Sequence, residues 1–121
     1  MKKNNVKIKE NITLMDQIHA IESITASYFT DGEYTPYFAE RAAILAILRN
    51  FITGIEFKEG EDIYDMVQND DELRTLINQF LIPPNEQPSD ETHADYYGLM
   101  AFVNDSVVDK VNFLKQMAIH K

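Results

Sequence analysis

Residues 36–52 read PYFAERAAILAILRNFI, from Pro36 to Ile52. Seven apolar residues follow one another from Ala42 to Leu48, and Glu40, Arg41, Arg49 and Asn50 lie toward the two ends. At ~100° per residue those four polar side chains point in four directions, so no continuous wet face exists. The stretch predicts a helix buried all round its middle. It falls short of the ~20 apolar residues that a membrane span needs. Ala39, Ala42, Ala43 and Ala46 share one side, where a second backbone can approach closely. Ile44, Ile47, Leu48, Phe51 and Ile52 supply most of the apolar burial. Thr35-Pro36 marks the start and Thr53-Gly54 the stop.

On either side of this segment the pattern predicts further helices. Thr13 and Asp16 have the spacing of a capping box, opening a helix over about 14–28 with Leu14, Ile18, Ile21, Thr25 and Tyr28 inward. Thr30-Asp31-Gly32-Glu33 reads as a turn. Asp62 opens a short helix to Gln68, and Asn69-Asp70 caps another that runs to about Phe80, with Leu73, Leu76, Ile77 and Phe80 inward. The proline-rich stretch 83–88 reads as extended, and Ser89 as the cap of a last helix. Tyr96, Met100, Val103, Val107, Val111, Leu114 and Ala118 form its apolar stripe, in one helix rather than two broken near Asn104.

The fold expected is all-α: a single helical domain over 1–121, a four- to five-helix bundle around a buried central helix at about 36–52. Residues 1–10 read as a basic arm or short strand. Two alternating pieces, 6–9 and 55–58, have the pattern of a minor two-stranded ribbon.

The formal net charge is −9, and its distribution is sharper than its sum. All 20 acidic residues lie between Glu10 and Asp109, opposed there by Arg41, Arg49, Lys58 and Arg74 alone. Lys2, Lys3, Lys7 and Lys9 begin the chain, and Lys110, Lys115 and Lys121 end it. An acidic body repels nucleic-acid backbone and anionic lipid, so neither is an expected direct partner. Basic ends can attract the acidic bodies of neighbouring copies; a solvated surface with lysine-rich termini is the plainer alternative. With no cysteine and no apolar leader, the expected setting is cytosolic.

Catalytic and metal-binding patterns are weak. His19 with Glu22, and Asp90 with His93, are each one helical turn apart, yet neither repeats as a carboxylate-bridged metal site would. The acids from Glu59 to Glu72 lack the ligand order of a calcium loop and suit solvated helix starts. The four serines carry no elbow motif, and the four glycines are too scattered to cradle phosphate. The expectation is a protein with no cofactor that is not an enzyme. Five aromatics crowd into eleven residues: Tyr28, Phe29, Tyr34, Tyr37 and Phe38. Aromatic anchors of this kind are favoured at interfaces and equally ordinary in a core. Together with Lys2, Lys3, Lys7 and Lys9 they are the candidate interface residues.

Two stretches carry a resemblance. They are residues 24–38, ITASYFTDGEYTPYF, followed by Arg49-Asn50-Phe51, and the later HADYY at 93–97 with VVDKVNF at 107–113. Together they resemble a set of small acidic proteins of tailed bacteriophages. The resemblance implies a virion or assembly role, located in the particle or the host cytoplasm, with other phage proteins and further copies of the chain as partners. It transfers no site residues. The alternative function is an early inhibitor that occupies a host nucleic-acid enzyme by mimicking phosphate charge.

Overall fold

The computed structural model describes residues 2–81 and 94–119. Its elements are β1 (Lys2–Ile8), α1 (Leu14–Ser27), β2 (Phe29–Thr30), β3 (Glu33–Tyr34), α2 (Ala39–Asn50), β4 (Ile52–Glu56), α3 (Ile63–Gln68), α4 (Asp71–Asn78) and α5 (Ala94–Ile119). The all-α expectation is therefore wrong. Five helices are joined by two small antiparallel sheets, β1 with β4 and β2 with β3, which makes a mixed α/β fold.

The error starts at the end of the central segment. A 3-10 turn, Pro36–Phe38, precedes α2, and the α-helix runs only from Ala39 to Asn50. Beyond Phe51 come Ile52, Thr53 and Ile55, branched at Cβ and suited to an extended chain. They pair with β1 in the register Lys2↔Glu56, Lys3↔Ile55, Lys7↔Thr53 and Ile8↔Ile52. The pairing thus joins 2–8 with 52–56 and not 6–9 with 55–58. Between Lys3 and Lys7 the register slips at a bulge, with Asn5 at φ 53° facing Gly54 at φ 90°. A Cβ on residue 54 would collide with the carbonyl oxygens of Asn4 and Asn5. Glycine here allows the two strands to close, rather than stopping a helix.

α1 packs against both α2 and α5, while α2 also meets β4, α3 and α4. Contact from two sides explains which residues of α1 are buried. Ala20, Ile24 and Thr25 are covered, Ile18, Ile21 and Tyr28 are half-buried, and Leu14, expected inward, is 62% exposed. In α2, Ile44, Ala46, Ile47 and Leu48 are buried, with Ala42, Ala43 and Leu45 partly so. Phe51, Phe80 and Tyr96 stack in series, with ring centroids 5.4 and 5.0 Å apart, joining the ends of α2 and α4 to the start of α5. α5 is one unbroken helix that buries Met100, Val103, Val107 and Val111. The proline-rich stretch and the Ser89 cap lie outside the described residues.

The helix starts follow the sequence closely. Thr13 and Asp16 form a reciprocal capping box on α1, and Asp62 and Asp70 cap α3 and α4. Two lysines of the N-terminal segment reach these same carboxylates. Lys9 Nζ lies 3.1 Å from Asp16, and Lys3 Nζ lies 2.8 Å from Asp70 and 3.3 Å from Glu72. The Thr13 N–H, with Lys9 beside it, holds the Asp16 carboxyl below its ordinary pKa. Lys3, assisted by the Leu73 N–H, does the same for Asp70, whose pairing raises Lys3 in turn.

Two outcomes test this packing. Ala46→Leu, at a site only 3% exposed, should destabilise by about 1–3 kcal/mol, whereas Ala43→Leu at its open flank should cost well under half of that. Urea unfolding of both variants checks the order. Asp70→Asn keeps a capping side chain and removes the charge. A carboxylate with a depressed folded pKa stabilises above its unfolded value of ~3.9 and loses that contribution as pH falls through the folded value. The deficit of Asp70→Asn should therefore be present at neutral pH and close in acid below the ordinary carboxylate range, as read by unfolding at stepped pH.

Candidate functional site

The five aromatics predicted as interface residues are gathered at the junction between α1 and α2. Asp31 (φ 51°) and Gly32 (φ 83°) give the two positive dihedrals that a tight two-residue hairpin turn requires, and β2 folds back on β3. Thr35, 6% exposed, locks the base of the hairpin. Its N–H donates to the Tyr28 carbonyl at 2.6 Å, its hydroxyl donates to the Ser27 carbonyl at 3.3 Å, and the Thr30 hydroxyl donates to it at 2.8 Å. The residue that looked like a cap for α2 is instead the tie between hairpin and α1.

This tie sets the rings. Tyr34 stacks on Tyr28 with centroids 6.2 Å apart and lies 6.0 Å from Phe29. Lys115 of α5 places its ammonium 4.3 Å from the centre of the Tyr34 ring, a cation–π contact. The 3-10 turn then sets Tyr37 against Phe38, edge to face at 4.9 Å. Tyr28 and Phe29 are half-buried, whereas Tyr34, Tyr37 and Phe38 are 45%, 74% and 44% exposed. The sequence left core and surface open for this group, and the structure divides it between the two.

The four predicted lysines sit on β1 or just after it. Lys3 holds Asp70 and Glu72, Lys9 holds Asp16, and Lys7 lies 3.4 Å from Glu10. Lys2 stands opposite Glu56 across the ribbon. The structure does not join these lysines to the aromatic group; three of them engage acids of their own chain.

Beside the hairpin lies an open cleft of about 510 Å³ that no sequence motif announced. Ile24 of α1 and Tyr28 just after it, Ala39 and Ala43 of α2, and Val107 and Val108 of α5 form much of its wall. Val67, Ile77 and Leu81 close the far side, and Glu40, Arg74 and Asn104 add polar groups. Tyr28 belongs to both features, lining the cleft and stacking on Tyr34. Part of the alanine strip read as a close helix contact is thus a cleft wall. Its elements come from four separated parts of the chain, which periodicity within one helix cannot bring together.

Among the described residues no three His, Asp or Glu side chains are grouped to hold a metal ion. His19 and Glu22 lie on the exposed side of α1, and Asp90 and His93 fall outside the described residues. In the acidic stretch, Asp62 and Asp70 are helix caps, and Glu61 accepts the Lys58 N–H at 3.2 Å. No helix among the described residues is long and apolar enough to cross a membrane. Compared with protein-family models, curated proteins and solved structures, the chain matches none.

The tie at Thr35 has a measurable consequence. Thr35→Val keeps the shape and removes both hydroxyl bonds, which should cost about 1–2 kcal/mol. Amide exchange should quicken over residues 28–35 and stay slow in the buried middle of α2, as read by hydrogen–deuterium exchange.

Proposed function

We propose that the protein is a non-enzymatic component that acts by binding other proteins, with Tyr34, Tyr37 and Phe38 as its contact surface. The observation that carries this reading is the exposure of three aromatic rings on a turn fixed by internal hydrogen bonds. Leaving a large ring half in water forgoes roughly 1 kcal/mol of burial. A partner that covers the rings recovers it, at little cost in ordering because the backbone beneath is already held. Asp31, Glu33 and Glu40, exposed within a few residues of these rings in the sequence, favour a partner face bearing lysine or arginine.

The resemblance at 24–38 and 93–113 supplies the biological setting of the proposal: a tailed phage, with the protein serving in the virion or its assembly. The charge-mimic alternative has less behind it. Asp16 and Asp70 serve as caps and ion-pair partners, as does Asp62, 3.2 Å from Arg41, so these acids are not arrayed for an outside ligand.

A photo-crosslinking residue at position 37, introduced in the chain expressed during infection, tests the reading. Adducts to particle or assembly proteins are expected, with loss of those adducts in a Phe38→Ala background. A chain missing from particles and assembly intermediates, with no adduct formed, would overturn it.

A further inference from the structure

The buried seam of α5 runs through Met100, Val103, Val107 and Val111, by which the helix packs on α1. One turn further the seam reaches Leu114 and Lys115, both half-buried. A lysine is out of place on an apolar stripe, and what that end of the seam meets explains it. α1 ends at Ser27, and the chain beyond it turns into the hairpin of β2 and β3. There the Lys115 ammonium stands 4.3 Å from the centre of the Tyr34 ring. Among the described residues no carboxylate lies within ion-pair distance of Lys115, so the aromatic face is what holds the charge.

We infer that Lys115 is a positioning residue for the aromatic contact surface, ordering the Tyr34 ring before a partner arrives; the inference rests on the contact-based reading above. Thr35 ties down the backbone of the hairpin, but β2 and β3 have two residues each, and Tyr34 is 45% exposed. A side chain left to rotate in water has to be immobilised on binding, at a cost in affinity. Tyr28, stacked at 6.2 Å, and Phe29, tilted at 6.0 Å, brace the ring from its own segment. Lys115 adds a brace from α5, which the buried seam already holds in place. Tyr37 and Phe38 have each other at 4.9 Å, and among the described residues no cation stacks on either. Tyr34 is thus the preset ring, and Tyr37 and Phe38 are the adaptable ones. The same contact sets a preference. With an ammonium already over Tyr34, a partner's lysine or arginine is directed to Asp31, Glu33 or Glu40 rather than to that face.

Nuclear magnetic resonance on the isolated full chain tests the contact. The ε-methylene protons of Lys115 should resonate upfield of ordinary lysine values through the Tyr34 ring current, and Tyr34→Leu should return them there. Infection with the photo-crosslinking residue at position 37 tests the role. Lys115→Met keeps the apolar stem and removes the charge, and should lower adduct yield about two- to fivefold, the loss expected of one exposed cation–π contact. Lys115→Arg keeps a cation and should restore most of the yield. In a Tyr34→Leu background Lys115→Met should have no further effect, because Lys115 acts through that ring. A lysine that only secures α5 would lower the melting temperature in Lys115→Met and leave adducts at wild-type yield. That outcome overturns the inference alone, as do ε-methylene resonances at ordinary values in the wild-type chain. Adducts absent from every version of the chain overturn the contact-based reading and this inference together.

Discussion

Seven apolar residues in succession, Ala42 to Leu48, leave α2 with no side fit for water, and covering that helix organises the chain. α1 covers one flank, α3 and α4 another, and the chain that leaves α2 turns into β4 to begin a ribbon. The coverage is incomplete where incompleteness costs least. The side of α2 that faces the open cleft presents Ala39 and Ala43, whose small side chains forgo little burial when left partly in contact with solvent, together with Glu40 and Ile44. The larger Ile47, Leu48 and Phe51 are 0–1% exposed.

The N-terminal segment shows how charge is subordinated to this packing. Its lysines looked available to neighbouring copies. Lys3 and Lys9 instead bridge back to the caps of α4 and α1. Each bridge alone is a modest interaction near the surface. Its placement matters more than its strength, because Asp16 and Asp70 already hold backbone N–H groups that would otherwise lack a partner. One carboxylate at each site therefore terminates a helix and anchors the N-terminal segment against the helical layer.

What was legible in the sequence was local. Thr13 with Asp16, Asp62 and Asp70 announced three helix starts, because a cap is a short-range hydrogen bond written in adjacent residues. The stripe from Met100 to Val111 announced a continuous helix for the same reason. The fold class was misread because Ile52-Thr53-Gly54-Ile55 takes its conformation from a strand nearly fifty residues earlier, and β pairing is non-local. Thr35 misled in a related way, since its hydroxyl reaches Ser27 and Thr30 on the hairpin side instead of the helix it precedes. Within the candidate site the aromatic cluster was visible as composition. Its division into half-buried Tyr28 and Phe29 and exposed Tyr37 depends on the hairpin, and the cleft depends on tertiary packing throughout.

Charge and exposed apolar surface together constrain how such a chain associates. A net charge of −9 makes copies repel one another, and three of the four N-terminal lysines that could offset this are paired with acids of their own chain. Long-range attraction between copies is therefore a poor driving force. What remains is burial of aromatic and apolar side chains at short range, at the hairpin. Burial of that kind is nearly indifferent to ionic strength, whereas the repulsion opposing it is screened over about 8–10 Å at physiological salt. Salt accordingly removes the obstacle without weakening the contact, the reverse of what a charge-matched interface would do.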